Sequence, residues 1–150
     1  MVTLQMEQAK AALAEDQVTF AVVSAQGEIR TSTRKGITPI MELLKVEPKF
    51  LEGASVADKV IGKAAALLLI KGKINNLYAH IISSHGVEVL KKYGIPFQYD
   101  KMVPFIINRA KDGMCPMEAT VLEEVDAEIA FIQLQDKLVQ LAGRNENAGV

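Results

Sequence analysis

Residues 64–70, Ala-Ala-Ala-Leu-Leu-Leu-Ile, present no polar face at any spacing. A helix that is apolar all round lies inside a fold rather than on it. The flanks extend this run into one expected helix over residues 53–72. Ser55 stands as its N-cap, Asp58 completes a capping box three residues later, and Lys71-Gly72 closes it with a glycine cap. Such a helix crosses the core and shows only its front, with Asp58, Lys59 and Lys63, to a cleft. Helix N-termini attract anions. The pattern therefore places chemistry at this end without naming the reaction.

A chain of 150 residues is expected to be one domain over residues 1–150, able to bury about two-thirds of its unfolded surface. Hydrophobic residues at 49% supply the core. Seventeen basic against eighteen acidic residues leave a net charge of -1, so no bulk field draws nucleic acid or an anionic membrane. Aromatic content of 5%, without Trp, argues against base-stacking platforms. One Cys excludes an internal disulfide. No apolar run approaches the ~18–20 residues that span a bilayer. The first ten residues lack a basic start followed by an apolar block, so no signal peptide is expected. These readings describe a cytoplasmic protein without nucleic-acid or membrane partners.

In chain order, residues 3–16 read as a surface helix (1–16 as an N-terminal helical unit), with Met6, Ala9 and Leu13 on one stripe. Residues 18–24 are rich in β-branched side chains and read as a strand. After a turn at Ala25-Gln26-Gly27, residues 28–33 return as a polar edge strand. Thr38 and Pro39 start a helix through Lys45. Residues 77–83 read as a buried strand, with His80 a satisfied core residue. Ser84-His85-Gly86 opens a helix ended by Gly94, and residues 97–103 form a further strand. Cys115-Pro116 starts another helix. Residues 126–143 form a final amphipathic helix, with Phe131, Leu134, Leu138 and Leu141 on one stripe, and residues 144–150 fray. The alternation predicts a three-layer α/β/α sandwich, its mixed sheet beginning with an antiparallel hairpin. Ligands in such sheets sit beyond the carboxyl ends of strands. Three places qualify: residues 55–59, 83–88 and 108–118.

The order of elements resembles the cytidine-deaminase-like fold, in which a hairpin precedes a central helix, a strand and a second helix. Gly53-Ala-Ser-Val-Ala-Asp-Lys-Val-Ile-Gly-Lys-Ala-Ala-Ala66, Ile107-Asn-Arg109 and Asp112-Gly-Met-Cys-Pro-Met-Glu118 resemble signatures of a small bacterial family of unknown function that shares this fold. Zinc deaminases carry H-x-E on the central helix and P-C-x-x-C at the next. Here the corresponding positions read Ala57-Asp58-Lys59 and Ser83-Ser84-His85-Gly86-Val87-Glu88, and the Cys115-Pro116 pair comes one strand late in reversed order. The resemblance therefore implies a deaminase-like domain without the standard zinc site and with no cofactor.

Three constellations carry the candidate chemistry. Asp58 and Lys59 are candidate catalytic groups at the helix front, and a capped helix with solvated lysines is the plain counterpart. Ser84 and His85 are candidate ligand-binding groups, against a serine cap with a half-exposed imidazole. Asp58, His85 and Glu88 or Cys115 would be the ligands of a metal-dependent hydrolase. Asn108, Arg109 and Glu118 are candidate ligand-binding residues, with Arg109 as an anion fork. Cys115 at a helix start is a candidate nucleophile, against the small buried residue that free Cys commonly is. The expected function is binding of a small anionic or nucleotide-like ligand. Its rival is a non-catalytic homo-oligomeric module, a homodimer built through the terminal helices.

Overall fold

The protein is described from a computed structural model covering residues 3–144. The expected fraying of residues 144–150 falls, beyond Arg144 itself, outside the described residues. Strand β1 (Phe20–Val23) is buried along all four residues. Phe20 and Val22 face one side and belong to the main core, whereas Ala21 and Val23 belong to a second, smaller cluster. A strand covered on both faces has no reason to alternate polar and apolar side chains. Strand β2 (Ile29–Ser32) alternates exposed and half-buried residues and lies at the edge. Gly27, with φ of +93°, supplies the turn before it.

Strand β1 pairs antiparallel with both β2 and β3 (Ser55–Ile61). Strands β3, β4 (Asn76–Ser83) and β5 (Phe97–Val103) are mutually parallel, giving the order β2-β1-β3-β4-β5. Helix α1 (Leu4–Leu13) packs on β1 and β3 through Met6, Ala9 and Leu13, and Thr3 caps it by accepting from the Met6 amide at 3.1 Å. Helices α2 (Thr38–Val46), α3 (Lys63–Gly72), α4 (Ser84–Lys92), α5 (Pro116–Thr120) and α6 (Ala127–Arg144) contribute to the main core, built on Val22, Val56, Leu77 and Ala79. No described helix is long and apolar enough to cross a membrane.

Helix α3 is the buried centre. It packs against α2, α4 and α6. Residues 64–69 are all buried, as their composition demands. Leu67, Leu68 and Leu69 are wholly enclosed, each stabilising the fold by roughly 1.5–3 kcal/mol.

The expectation of one helix over residues 53–72 is corrected. Its first half is β3, with Ser55 paired to Val23 and Asn76, so Ser55 and Asp58 form no capping box. Val56, Val60 and Ile61 favour the extended chain, and β3 is hydrogen-bonded on both sides. Gly62, extended at φ -102° and ψ -172°, separates strand from helix. At the other end Lys73, not Gly72, is left-handed. A Cβ on Gly72 would stand 2.9 Å from Leu51 Cδ1, so that glycine serves packing.

His80 is likewise not a core residue. Its side chain is 55% exposed and Nδ1 lies 2.8 Å from Asp100 Oδ2, which also accepts from the Tyr78 hydroxyl at 2.5 Å. The 10-residue α1 lies mainly over β1 and β3, leaving this part of β4 open.

Candidate functional site

The carboxyl ends of the parallel strands lead into the start of α3, the start of α4 and residues 104–118. Strand β2 runs in the same direction as β3, because both oppose β1. Its following loop therefore reaches the same edge of the sheet. The loop after β2, the end of β3, the start of α3 and residues 106–118 border a cavity of about 510 Å³, within the usual range for small-molecule sites; the start of α4 stays outside it. Thr19, residues 34–37, the end of β3, Ala64 and Ala65 of α3, and residues 106–110 and 115–118 line it.

Glu118 fixes one wall. It is 1% exposed. One carboxylate oxygen accepts from the Lys63 amide at 2.7 Å and from Ser83 Oγ at 2.5 Å, and the other from the Ile106 amide at 2.7 Å. The Ser83 hydroxyl in turn caps α4 by accepting from Gly86 N at 3.0 Å. One side chain thus neutralises the positive N-terminus of α3 and ties two helix starts to the 104–115 segment. The anion site of the central helix is filled from within.

The close packing requires a glycine at position 62. A Cβ there would lie 2.8 Å from Ile106 Cγ1 and 3.1 Å from Glu118 Oε2. Lys63 is also committed to structure, since its buried Nζ donates to the Leu122 carbonyl at 2.6 Å.

Residues 106–115 form a small flap. Ile107 bridges Met114, Asn108 N donates to Gly113 O at 2.9 Å, and Cys115 N donates to Ile106 O at 2.7 Å. Asn108 and Asp112 brace the tip through reciprocal side-chain hydrogen bonds, Asn108 Nδ2 to Asp112 Oδ1 at 2.9 Å and Asp112 N to Asn108 Oδ1 at 3.2 Å. Arg109 beside them is exposed, and half-buried Cys115 lies where the flap returns.

Asp58 lies on the opposite wall. It is 6% exposed and receives one amide hydrogen bond, from Val60 at 3.3 Å, among the side-chain bonds of the described residues. Among those residues no ion pair engages it. Burial pushes its pKa up to about 8, and the Val60 and Lys59 amides offset only part of this. The strand pattern shifts at this point: Asp58 is buried, Lys59 and Val60 are exposed, and Ile61 is buried again. Asp58 and Lys59 consequently both reach the cavity wall.

Of the residues singled out from sequence, Asp58, Lys59, Asn108, Arg109, Cys115 and Glu118 line this one cavity. Ser84 and His85 do not. Ser84 Oγ donates to the Pro104 carbonyl at 3.0 Å, and His85 Nδ1 sits 4.0 Å from Glu88 on its own helix. Among the described residues no three His, Cys, Asp or Glu side chains converge as metal ligands, so the Asp58, His85 and Glu88 or Cys115 set is not assembled. The three expected helix starts do not share the cavity: the first is the end of a strand, and the second lies outside the lining, tied to it only by the Ser83 hydroxyl donating to Glu118. Sequence reasoning missed Arg34, Lys35 and Thr19. The signal was present as a basic pair before Gly36, but its position depends on the direction of β2.

Fold and site define an α/β domain with a mixed five-stranded sheet and a polar-rimmed cavity at its carboxyl edge. The chain belongs to the DUF1893 family, a domain of unknown function, whose profile matches residues 8–138. The crystal structure of TM1506, a DUF1893 family protein of Thermotoga maritima, is 31% identical and superposes with a TM-score of 0.81 over 91% of this chain and 92% of that one. An acetylglutamate kinase of Sulfurimonas denitrificans is 30% identical over 105 residues, 70% of this chain. The chain spans only 35% of that kinase's length.

Proposed function

We propose that this chain is a single small-ligand-binding domain whose ligand is anionic, of the nucleotide-like or carboxylate metabolite class, acting in the cytoplasm. The observation that carries the reading is one cavity of about 510 Å³ that joins exposed Lys59 and Arg109 to the buried Asp58. Among the described residues neither cation is engaged in an ion pair, so both are free to meet an anion. Asp58, with a pKa of about 8, is in the range where a carboxyl group exchanges protons at neutral pH. Lys59 and Cys115 are the other groups placed to take part in any reaction.

The succession β3, α3, β4, α4 supports the deaminase-like fold as part of this proposal. With α3 beginning at Lys63, its first residues are Lys63, Ala64 and Ala65, and the β4–α4 junction is Ser83-Ser84. Neither place offers the thiols of a zinc deaminase. The reading therefore runs through side chains alone, without a cofactor.

The test is a thermal-shift screen with nucleotides, phosphorylated metabolites and acetylglutamate, the last suggested by the name of the kinase relative. A ligand at a hundred times its Kd stabilises by about 2.7 kcal/mol, and Arg109→Ala is expected to abolish the shift. Silence from every anion, in the parent and in Arg109→Ala alike, would contradict the reading. A second reading is a homo-oligomeric interaction module. Exposed Ile129 and Ile132 on α6 favour it, and light scattering decides it: a strict monomer removes it.

A further inference from the structure

We propose that the cavity takes a bipolar small molecule, with an anionic end held by Lys59 and Arg109 and a cationic nitrogen seated against Asp58. The inference rests on the ligand-binding reading above and assigns the ligand's second end.

The charged groups around the cavity are unequally committed. Glu118 has both oxygens filled by three donors. Arg34 is paired with Glu42 at 2.6 Å. Lys35, Lys59 and Arg109 are exposed, while Asp58 is buried. This difference sets cations at the mouth and a carboxyl group in depth. A carboxylate has room for about four hydrogen bonds, and among the described residues Asp58 receives one long side-chain bond, from Val60 N at 3.3 Å, with the Lys59 amide beside it committed to the Thr19 carbonyl. Phe20 and Ala79 flank it on the neighbouring strands, and α3 contributes only Ala64 and Ala65 to the cavity. Among the described residues no cation is therefore seated against it.

A buried, underfilled carboxyl group either keeps its proton or takes a positive partner. A ligand with an ammonium or guanidinium group supplies that partner. Ile106, Met117 and the two alanines give an apolar wall for the carbon body between the two ends. A ligand with only an anion could take one hydrogen bond from the protonated Asp58 but would supply no positive partner for its carboxylate.

The chemistry fits both carboxylate and phosphate anions, so matched probes separate them. Ethanolamine phosphate is compared with ethyl phosphate, and glutamate with acetylglutamate, by titration calorimetry at pH 7 in two buffers of different ionisation heat. The ammonium-bearing member of the productive pair is expected to bind about tenfold tighter or more, the scale of one hydrogen-bonded charge pair. Because the cation favours the carboxylate, binding is expected to release up to about one proton. Asp58→Asn should erase the preference and the proton release while retaining the weaker anion binding, and Arg109→Ala should weaken both members. Whichever pair shows the preference identifies the anion. Equal binding within both pairs without proton release would overturn the bipolar ligand and leave the anion reading standing. No binding by any of the four, together with a silent anion screen, would remove both. The proton count is read on the parent protein, so it stands even if a variant fails to fold.

Discussion

Glu118 and Asp58 are both carboxyl groups in the wall of one cavity, buried to nearly the same degree, and the fold treats them in opposite ways. Glu118 accepts from two backbone amides and a hydroxyl. Its charge is matched by the N-terminus of α3, as a capping group's should be. Asp58 has the Val60 amide and no ion pair among the described residues. Burial then raises its pKa to about 8. The contrast teaches that depth alone does not set the role of a buried acid. The supply of donors does: a filled carboxylate holds the structure together, and an unfilled one is left for chemistry or for a ligand.

The contrast breaks most readily at Glu118. Glu118→Ala orphans the Lys63 and Ile106 amides and the Ser83 hydroxyl, and is expected to cost about 3–5 kcal/mol. For a chain of this size that is a fall in Tm of roughly 6–20 °C by calorimetry. Gly62→Ala attacks the same knot sterically, through the contacts at 2.8 and 3.1 Å, and should cost about 1–3 kcal/mol in urea denaturation.

Asp58→Asn should act in the other direction, and only at higher pH. The folded-state pKa of Asp58, about 8, exceeds the ordinary value of 3.8. Between these values the folded protein holds a proton that the unfolded chain has lost, so this group's contribution to stability falls as pH rises from about 4 to 8. The asparagine variant lacks that slope. It should gain about 1–3 kcal/mol on the parent at pH 8–9, with the gain shrinking towards pH 4. Stability curves that stay parallel across this range would contradict the assignment. The smallest effect is expected at Arg109. It is exposed and outside any ion pair among the described residues, so Arg109→Ala should change stability by no more than about 0.5 kcal/mol. A large loss there would make Arg109 part of the scaffold rather than of the rim.

How much of this was legible before folding differs from segment to segment. Strand β5 falls on residues 97–103 as its pattern suggests, and α6 begins one residue after Asp126, whose carboxylate caps it by accepting from Ile129 N at 3.0 Å. Those elements keep one face to solvent or end on clear polar signals. Strand β3 was not legible, because burial on both faces removed the alternation that marks a strand and left Ser55 and Asp58 at the spacing of a helix cap. His80 could not be placed because its exposure depends on how far α1 reaches across the sheet. Within the site, Asp58, Lys59, Arg109 and Cys115 stood out as chemically active residues near expected element ends. Ser84 and His85 stood out in the same way, yet Ser84 donates to the Pro104 carbonyl and His85 sits beside Glu88 on its own helix, both outside the cavity. Arg34 and Lys35 reach the cavity through the direction of β2, which no local pattern encodes.

Asp58 holding its proton at neutral pH inside the cavity is what sets it apart from Glu118. A carbon-13 NMR titration of the aspartate carboxyl groups, with Asp58 assigned by the Asp58→Asn variant, measures this directly. A midpoint near 8 is the expected result. A midpoint near the ordinary 3.8 would mean that water or an unrecognised donor already serves Asp58, and that the distinction from Glu118 does not exist.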